Sequence, residues 1–441
     1  MHLSGWGRYP VLEARVHAPR SVDALRERVR AAPSAIARGM GRAYGDSAIN
    51  PAATLETRHL NHMLAFDAAT GQLTAEAGVL LGDIIAAFLP RGWFPRVTPG
   101  TKYVTLGGAI AADVHGKNHH KDGSFRSCVD WVEVMDATGA ITRCGPDQNP
   151  MLFDHTLGGM GLTGIVTRAA IRLRPVETAW MRQTTRTAPN LRAAMDLFED
   201  NPETSYSVAW IDCLARGADL GRSVIMLAEH ADRADLSGAE RKAPLSAPGR
   251  AGYRLPFGFP GLALNAWSAR AFNALYYRMV RGGAGERLID WDRYFYPLDA
   301  VLNWNRLYGR KGLVQFQCVF PLDRSEAGLT ALLDTISRAG VGSFLAVLKR
   351  FGAQQSAFSF PMEGYTLAMD FPVNAGTLAL LDRLDRIVLA HGGRFYLAKD
   401  SRMSAETFAA SDSRVGAFRD RRDAHGWRGR FASAQSDRLA L

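Results

Sequence analysis

The spacing of hydrophobic residues predicts short strands and helices in the first part of the chain. Apolar residues at helical spacing follow Ser21, a residue type that favours helix N-caps, and they predict a helix over 20–32. Short apolar runs at 35–38 and 165–173 indicate buried strands. A polar turn divides the segment 129–143 into two further runs, which predicts a hairpin.

The pattern changes near Pro175. Beyond it, alternating runs predict a separate antiparallel sheet with helices packed on it. The predicted strands cover 205–212, 313–320, 344–351 and 366–371, and the predicted helices cover 325–338 and 375–391. Residues 236–290 interrupt this sheet, are rich in Pro, Gly and Arg, and include an apolar helical stretch near 262–279. The insertion is compatible with a mobile lid, a membrane-contacting surface or a helix packed on the domain.

Glycine-rich stretches indicate places where the backbone makes close approaches. The loop 39–47 follows a predicted strand, but Tyr44 replaces the third glycine of a dinucleotide fingerprint, so no Rossmann site is predicted. The backbone amides of such a loop can still bind a pyrophosphate. Adjacent Gly107 and Gly108 lie in an apolar run. They are consistent either with a flat cofactor lying against the main chain or with tight packing of a helix on a strand.

Composition limits the classes of partner and compartment. The 441 residues include 53 Lys and Arg against 43 Asp and Glu, a net charge of +10 that favours anionic partners. The basic residues are dispersed and no nucleic-acid motif accompanies them, so a phosphate-bearing substrate or anionic lipid is favoured over nucleic acid. The four cysteines show neither disulfide nor zinc spacing. Without a signal peptide or a membrane-spanning run, we expect a cytoplasmic protein; peripheral attachment to either face of the inner membrane stays open.

Histidine and lysine residues supply candidate chemistry at two places. His115, His119 and His120 have the spacing His-x-x-x-His-His, but no carboxylate or thiol accompanies them at a useful distance, so we predict no metal site. Lys399 lies in a charged turn after a predicted strand. There it either forms a solvated ion pair with Asp400 or, if the strand returns to the cofactor-binding lobe, takes part in the reaction.

Two glutamines share one face of a predicted strand. Gln315 and Gln317 alternate along the run, which places both amides on the same side. The flanking apolar residues Val314, Phe316 and Cys318 indicate that the opposite side is buried core. The glutamine face is therefore either solvated or part of a polar site.

Motifs spread over nearly the whole chain carry a family resemblance. They lie at 42–46, 98–101, 107–110, 115–120, 161–165, 304–309, 371–372, 398–402 and 431–433. His-Gly-Lys-Asn-His-His together with Ala-Lys-Asp-Ser-Arg is the most specific combination. On these motifs the chain resembles the flavin oxidoreductases of the vanillyl-alcohol-oxidase type, and within them the decaprenylphosphoryl-β-D-ribose 2-oxidase group.

The resemblance implies an α+β fold in three parts. A two-lobed PCMH-type FAD-binding domain is expected at 1–176. A substrate-binding cap domain, built on an antiparallel sheet with flanking helices, is expected at 177–392, with a mobile insertion near 236–290. The segment 393–441 is expected to return to the FAD-binding domain.

The resemblance also implies bound FAD, with the first glycine loop around the pyrophosphate. The implied cofactor residues are Ala37, Arg38, Gly39, Met40, Gly41, Arg42, Ala43, Tyr44, Gly45, Asp46, Ser47, Gly100, Thr105, Leu106, Gly107, Gly108, Ala112, Asp113, Val114, His115, Ile165 and Tyr396. Many relatives attach the flavin covalently through a histidine in this loop. Arg42 stands at that place, so we expect non-covalent FAD.

The implied reaction removes a hydride from C2 of a polyprenyl-phosphoryl-β-D-ribofuranose and releases the hydroxyl proton. The product is the 2-keto sugar, the first half of an epimerisation to the arabinose form. Lys399, His115 and Tyr308 are the implied catalytic residues; an unperturbed lysine is an ammonium that can stabilise developing negative charge. The implied substrate residues are Lys117, Trp210, Gln315, Gln317, Lys349, Phe351, Thr366 and Ala368. Trp210 and Phe351 are walls for the sugar or ordinary core aromatics.

Two positions depart from the pattern of the group. Ala368 stands where its members carry a cysteine, and Thr366 stands where they carry an asparagine. That cysteine is a capture point for covalent inhibitors rather than a catalytic group. We therefore expect resistance to inhibitors that trap it.

Two other functions stay open. One is a flavin oxidase or dehydrogenase of a free sugar, alditol or aldonolactone, whose family members more often carry the flavin-linking histidine. The other is a basic membrane- or nucleotide-binding module without catalysis, which explains the charge but not the glycine clusters. The resemblance further implies a short-chain NAD(P)H-dependent ketoreductase as partner, peripheral membrane contact and no nucleic acid.

Overall fold

The structure is a computed structural model that describes residues 1–247, 252–254, 266–283, 285–343 and 345–441. Up to Pro175 it contains small sheets and short helices. These elements are β1 (His2–Ser4), β2 (Val11–Glu13), β3 (Val16–His17), α1 (Val22–Ala31), β4 (Ile36–Arg38), β5 (Thr54–Glu56), β6 (Met63–Asp67), β7 (Gln72–Glu76), α2 (Leu81–Phe88), β8 (Trp93–Pro95), α3 (Leu106–Ala111), α4 (His119–Asp122), β9 (Val129–Met135), β10 (Ile141–Cys144), α5 (Pro150–Thr156) and β11 (Ile165–Pro175).

Two sheets organise this first part. Strands β3, β5 and β4 form a small parallel sheet, and β10, β9, β11, β7 and β6 form an antiparallel sheet that β8 joins beside β11. The predicted first helix is confirmed as α1, and the Ser21 hydroxyl caps it by accepting a hydrogen bond from the Ala24 amide at 3.1 Å. The predicted hairpin is confirmed as β9 and β10, with Gly139 in its turn at a φ of +80°.

The middle of the chain forms a second, larger sheet. Its elements are β12 (Trp180–Ala188), α6 (Leu191–Glu199), β13 (Tyr206–Ile211), β14 (Ser223–His230), α7 (Gly238–Lys242), β15 (Tyr253–Arg254), α8 (Ala266–Gly282), β16 (Gly285–Asp290), α9 (Trp291–Phe295), β17 (Val301–Leu302), β18 (Leu313–Pro321), α10 (Ser325–Ala339), β19 (Ala346–Phe351), β20 (Gly364–Pro372) and α11 (Ala375–Ala390). The chain ends with β21 (Arg394–Phe395), α12 (Ala405–Ser411), α13 (Val415–Ala424) and α14 (Ala434–Arg438). The eight-stranded order is β16, β12, β14, β13, β19, β20, β18, β21, with antiparallel neighbours.

The two faces of the eight-stranded sheet have different roles. One face is buried against α6, α10 and α11 in the largest hydrophobic cluster, to which Val314, Phe316 and Cys318 contribute as predicted. Because side chains alternate along a strand, their neighbours Gln315 and Gln317 lie on the other face. This second face is called the site face below, since it carries most of the polar residues of the sheet.

The C-terminal segment contacts both the large sheet and the first part of the chain. Strand β21 pairs with β18 at the edge of the large sheet, whereas Ala35 bridges to Phe431 and the Ala434 amide donates to the Ile49 carbonyl at 2.8 Å. The domain boundaries at 176 and 392 stay predictions. The small antiparallel sheet ends with β11, and the large sheet begins with β12 only five residues later.

Mixed helix and antiparallel sheet make this an α+β fold, as predicted. The helix predicted near 262–279 is present as α8. The parts of the insertion at 248–251, 255–265 and 284 lie outside the described residues. Within the described ranges, no helix combines the length and apolar character needed to cross a bilayer.

Candidate active site

The loop that follows β4 presents consecutive main-chain amides. Its carbonyls at Ala43 and Tyr44 accept from the amides of Trp6 and Gly7 at 2.8 and 2.9 Å, which fixes the loop from outside. In the described part of the chain, the amides of 40–43 and 45–47 donate to no protein acceptor. Such a run of unpaired donors forms a cradle for an anion, and a pyrophosphate suits it.

Two charged side chains brace this loop. The Arg38 guanidinium donates to the Ser4 carbonyl at 2.8 Å and to the Ala48 carbonyl at 3.4 Å. The Asp46 carboxylate accepts from Arg438 of α14 at 2.8 Å. Both predicted cofactor residues thus use their side chains to hold the loop, so that only its main chain is presented.

Helix α3 packs against the small antiparallel sheet through its glycines. A Cβ on Gly107 would lie 2.8 Å from the Ala77 Cβ, and a Cβ on Gly39 would lie 2.1 Å from the Thr105 Oγ1. Thr105 caps α3, accepting from the Gly108 amide. Tight helix packing therefore accounts for Gly107, whereas a Cβ on Gly100 would meet no heavy atom within 4 Å.

The remaining predicted cofactor residues surround this core. Ala37 lies in β4 and Leu106 begins α3, while Ile165 begins β11. Asp113 is buried and its carboxylate accepts a hydrogen bond from the Ser124 hydroxyl at 2.7 Å, so this side chain stabilises the protein interior. The residues that follow α3, namely Ala112, Asp113, Val114 and His115, lead towards Tyr396, whose hydroxyl donates to the Ala112 carbonyl at 3.0 Å.

Lys399 lies beside the first loop rather than at the surface. The Tyr44 amide donates to the Ala398 carbonyl at 2.9 Å, and the Lys399 Nζ lies 4.1 Å from the centre of the Tyr44 ring. The neighbouring Asp400 carboxylate pairs with Arg438 at 2.9 Å. The turn that contains Lys399 thus places the Lys399 ammonium beside the loop, while the ion pair of Asp400 holds the turn in position.

Asp370 is an acidic residue of this site that sequence reasoning missed. It is fully buried on the site face of β20, and its Oδ1 accepts from the Gln315 Nε2 at 2.6 Å. The same Gln315 amide donates to the Tyr44 hydroxyl at 3.1 Å. The second oxygen, Oδ2, has no hydrogen-bond partner within the described chain. Its position in the strand was the signal that could have indicated it. Asp370 is the only acidic residue of an apolar strand and lies two residues after Ala368, which places both on the same face.

Burial changes the titration of Asp370 and Lys399 in opposite directions. It raises the pKa of Asp370, although the Gln315 bond and the Lys399 charge oppose this. It lowers the pKa of Lys399; Lys349 adds to this effect and Asp370 opposes it. Burial and the nearby Asp370 raise the pKa of the Tyr308 phenol well above its usual range. Tyr308 ends a 3-10 helix, Trp304–Tyr308.

His115 occupies the opposite end of the site face. Its Nε2 lies 3.1 Å from the Gln317 Nε2, and Gln317 also donates to the Thr366 Oγ1 at 3.2 Å. The Gln317 amide therefore binds a neutral His115, whose pKa burial lowers well below its usual range. Phe351 packs beside the ring, with centroids 4.7 Å apart.

Three lysines surround this face, and we call Lys117, Lys349 and Lys399 the lysine cluster. Burial lowers the pKa of Lys117 to about 7, with Lys349 adding to the effect, and lowers the pKa of Lys349 to about 8. The Lys117 ammonium donates to the Tyr294 carbonyl and lies 3.9 Å from the centre of that ring. Concentrated positive charge in a low-dielectric site favours an anionic ligand.

The other predicted substrate residues share the site face by register. Ala368 lies opposite Gln317 on one side and opposite Val347 on the other. Val347 lies opposite Trp210. Trp210 is buried and packs edge-on against Tyr276 of α8, with ring centroids 4.8 Å apart, so the structure places it at the outer end of this face.

Comparison with known proteins identifies the family. A family model described as an FAD binding domain matches residues 14–145. The whole chain is 37% identical to decaprenylphosphoryl-β-D-ribose oxidase of Mycolicibacterium smegmatis, of which the match covers 97%. The chain belongs to the decaprenylphosphoryl-β-D-ribose oxidase family. The resemblance drawn from its motifs is thereby confirmed, and so is FAD as its cofactor.

Other relatives match with different coverage. An uncharacterized protein of Streptomyces coelicolor is 35% identical over 82% of this chain and over the full length of that protein. Cytokinin dehydrogenase 10 of Oryza sativa subsp. japonica is 31% identical over 28% of this chain and 23% of its own length. The likeness to the cytokinin dehydrogenase covers only part of the chain, whereas the Streptomyces protein matches most of it.

The site of this family member fits FAD. The matched domain contains the amide cradle at 40–47 and the glycine helix α3. The Arg42 Nε is buried without a hydrogen-bond partner in the described chain, and the guanidinium stacks over the Trp6 ring at 4.1 Å. The Nε–H of this guanidinium, next to the cradle, is thus a free donor for an anionic or carbonyl group of a cofactor.

Histidines 119 and 120 make ordinary hydrogen bonds. The His119 Nε2 lies 2.9 Å from the Gln354 Oε1, and the His120 Nε2 lies 2.7 Å from the Thr204 carbonyl oxygen. Among the residues that the structure describes, no three His, Cys, Asp or Glu side chains are grouped as metal ligands.

Proposed function

We propose that the protein oxidises the C2 hydroxyl of a polyprenyl-phosphoryl-β-D-ribofuranose to the 2-keto sugar, the first half of its epimerisation to the arabinose form for cell-envelope glycan synthesis. The observation that carries the proposal is the full-length identity to decaprenylphosphoryl-β-D-ribose oxidase. The site is consistent with that substrate. A phosphodiester is an anion for the lysine cluster, and a ribose offers hydroxyls to the glutamines of the site face.

We assign roles to the residues nearest the reacting atoms. Bound FAD supplies the hydride acceptor. Lys399 stabilises developing negative charge next to the first loop, because its Nζ lies against the Tyr44 ring and the Asp370 carboxylate favours its charged form. The unpaired Oδ2 of Asp370 is available to accept the hydroxyl proton, either directly or through Lys399. His115 and Tyr308 orient the sugar from the two ends of the site.

We propose that Lys117 and Lys349 bind the phosphodiester. Both ammonium groups have lowered pKa values because burial removes their hydration. An anion between them compensates for that loss, so binding of the phosphodiester raises both pKa values again. Gln315, Gln317 and Thr366 then face the sugar, with Ala368, Phe351 and Trp210 as apolar walls.

We propose that FAD is held without a covalent bond. Arg42 occupies the loop position at which many related flavoenzymes carry a linking histidine, and its guanidinium lies over Trp6. Acid precipitation of the purified protein should therefore release all flavin into the supernatant. Flavin absorbance that stays with the washed pellet would contradict this expectation.

The anaerobic visible spectrum tests the function directly. Adding polyprenyl-phosphoryl-ribose to the purified flavoprotein should bleach the oxidised-flavin band, and the product should be a 2-keto sugar by mass. Bleaching only by free sugars, alditols or aldonolactones would move the protein to that class of oxidase. A protein that takes up no FAD would exclude both enzymatic functions.

The product indicates the next reaction. A 2-keto sugar on a polyprenyl phosphate is labile and becomes the arabinose form by reduction at C2 from the opposite face. We therefore propose a short-chain NAD(P)H-dependent ketoreductase as partner, and peripheral attachment to the inner membrane where a lipid-linked substrate resides. Retention of the protein on an immobilised ketoreductase of this class, abolished by excess soluble ketoreductase, is the expected result.

A further inference from the structure

Helix α8 exposes an apolar stripe to solvent. Leu275 and Met279 are 60% and 65% exposed, and Phe272 on the same side is 46% exposed. These positions are three, four and seven residues apart, which places them on one side of a helix. The stripe is defined here as Phe272, Leu275 and Met279, and it represents apolar area that folding of the described chain leaves in contact with water.

The opposite side of α8 is firmly attached to the large sheet. Asn273 is fully buried and its Nδ2 donates to the Asp212 carboxylate at 2.7 Å. The Tyr277 hydroxyl donates to the Ala188 carbonyl at 3.2 Å. Because this inward side is buried and hydrogen-bonded, the helix cannot turn its exposed stripe inward without breaking buried polar contacts.

Positive charge flanks the stripe. Arg278 is exposed beside Leu275, three residues before it in the helix, Arg281 is exposed at the C-terminal end of α8, Arg270 is half-buried, and the helix contains no acidic residue. An exposed apolar stripe with arginine beside it is complementary to an anionic bilayer surface, where apolar side chains enter the acyl boundary and arginines remain among the headgroups.

The stripe is next to the outer end of the site face. Tyr276 of α8 packs against Trp210, and Tyr277 and Val280 join the same small cluster. A substrate whose sugar lies on the site face would extend its lipid chain past Trp210 towards α8. This step of the argument depends on the proposed function, whereas the amphipathic surface does not.

We infer that the stripe of α8 docks the protein on an anionic membrane surface, so that a lipid-linked substrate passes from the bilayer to the site face along Trp210. The docking is peripheral, since the helix is held on the sheet by Asn273 and Tyr277. The positions that carry it are the three stripe residues with Arg278 and Arg281.

Vesicle flotation of the full-length flavoprotein tests this inference. Wild-type protein should float with vesicles of phosphatidylcholine and phosphatidylglycerol, and only weakly with phosphatidylcholine alone. Leu275→Glu with Met279→Glu should weaken binding to the mixed vesicles by about tenfold or more, because two charges enter the apolar contact. Arg278→Glu with Arg281→Glu should remove the preference for phosphatidylglycerol.

Matched controls separate docking from folding and from catalysis. Leu64→Glu replaces a leucine that is 46% exposed on β6, and it should bind vesicles like the wild type. The Leu275→Glu, Met279→Glu variant should keep its flavin spectrum and its activity on a short-chain, water-soluble prenyl-phosphoryl-ribose, and lose activity only on substrate embedded in vesicles.

Three results would overturn the inference: no flotation of the wild type, undiminished flotation of the stripe variant, or equal loss in Leu64→Glu. Failure of the proposed function would give a different experimental result. In that case the wild type still floats with the mixed vesicles, and no ribose substrate, short or long, bleaches its flavin.

Discussion

At the scale of single residues, the site depends on the electrostatic interaction between a buried carboxylate, Asp370, and a buried lysine, Lys399. Asp370 raises the pKa of Lys399, while burial and Lys349 lower it. Removing the carboxylate leaves only the two lowering effects. The protonated fraction of Lys399 therefore depends on Asp370, a residue of β20, from which Lys399 is separated in the sequence by α11 and β21.

Lys399→Ala should abolish flavin reduction while FAD stays bound, because the loop amides that we propose as the pyrophosphate site do not involve the side chain. A loss of about 100-fold or more in the anaerobic reduction rate is expected for an electrostatic group in a water-poor site. Stopped-flow absorbance measures the rate, and the flavin-to-protein ratio after gel filtration serves as the control. A rate near that of the wild type would remove Lys399 from the mechanism.

Asp370→Asn should shift the alkaline limb of the pH–rate profile to lower pH. The substitution removes the charge that raises the pKa of Lys399, so the ammonium is lost at a lower pH, by about one pH unit. Asp382→Asn, a charge removed from an exposed position of α11, is the matched control and should leave the limb in place. An unchanged profile in Asp370→Asn would mean that the two groups do not interact.

At the scale of elements, α3 is held by the close contact between Gly107 and Ala77. Only a residue without Cβ allows the first turn of this helix to lie on the end of β7, and this contact aligns the residues that follow α3 with the first loop. Glycine in a helix carries an entropic cost, which is accepted here because packing requires it. Gly416 in α13 has no such contact within 4 Å.

Gly107→Ala should lower the free energy of unfolding by about 1–3 kcal/mol, since its Cβ would overlap the Ala77 Cβ. Gly416→Ala is the matched helix substitution and should be neutral or stabilising by up to about 1 kcal/mol. Chemical denaturation followed by circular dichroism measures both. Equal effects of the two substitutions would show that the Ala77 contact does not limit the packing of α3.

At the scale of the whole molecule, contact between α4 and the large sheet buries His119 in its neutral form, with its ring centroid 4.3 Å from that of Phe351 in β19. Burial lowers the pKa of His119 to about 4; His120, Lys349 and Arg350 lower it as well, and the Gln354 bond opposes them. A lowered pKa in the folded state gives stability that is fully present above the unfolded value of about 6.5 and is lost as pH falls through about 4.

The unfolding free energy should therefore decrease between pH 6.5 and 4, with His119 contributing about 3 kcal/mol of the change. His119→Gln keeps a polar group opposite Gln354 and should flatten this part of the stability curve. His2→Gln, at an exposed position of β1, should not. Identical pH slopes in all three proteins would contradict the assignment to His119.

The sequence by itself determined the elements and their local chemistry. Helical spacing after Ser21, alternation around Gln315 and Gln317, and the polar turn of the hairpin all act over a few residues, so a local pattern contains the required information. The motifs also identified the family and FAD, because each consists of residues adjacent in sequence. The α+β class followed from the family resemblance that these motifs carry.

Only the tertiary structure decided which distant residues share one site. Asp370 has no motif of its own and becomes part of the site because β20 aligns it with Gln315, beside Lys399 and the Tyr44 loop. The sequence offered Asp400 as the ion-pair partner of Lys399, but its carboxylate pairs with Arg438 of α14. Strand register and long-range packing fix these pairings, and both depend on contacts between segments that are 38 to 271 residues apart, which local hydrophobic patterns do not encode.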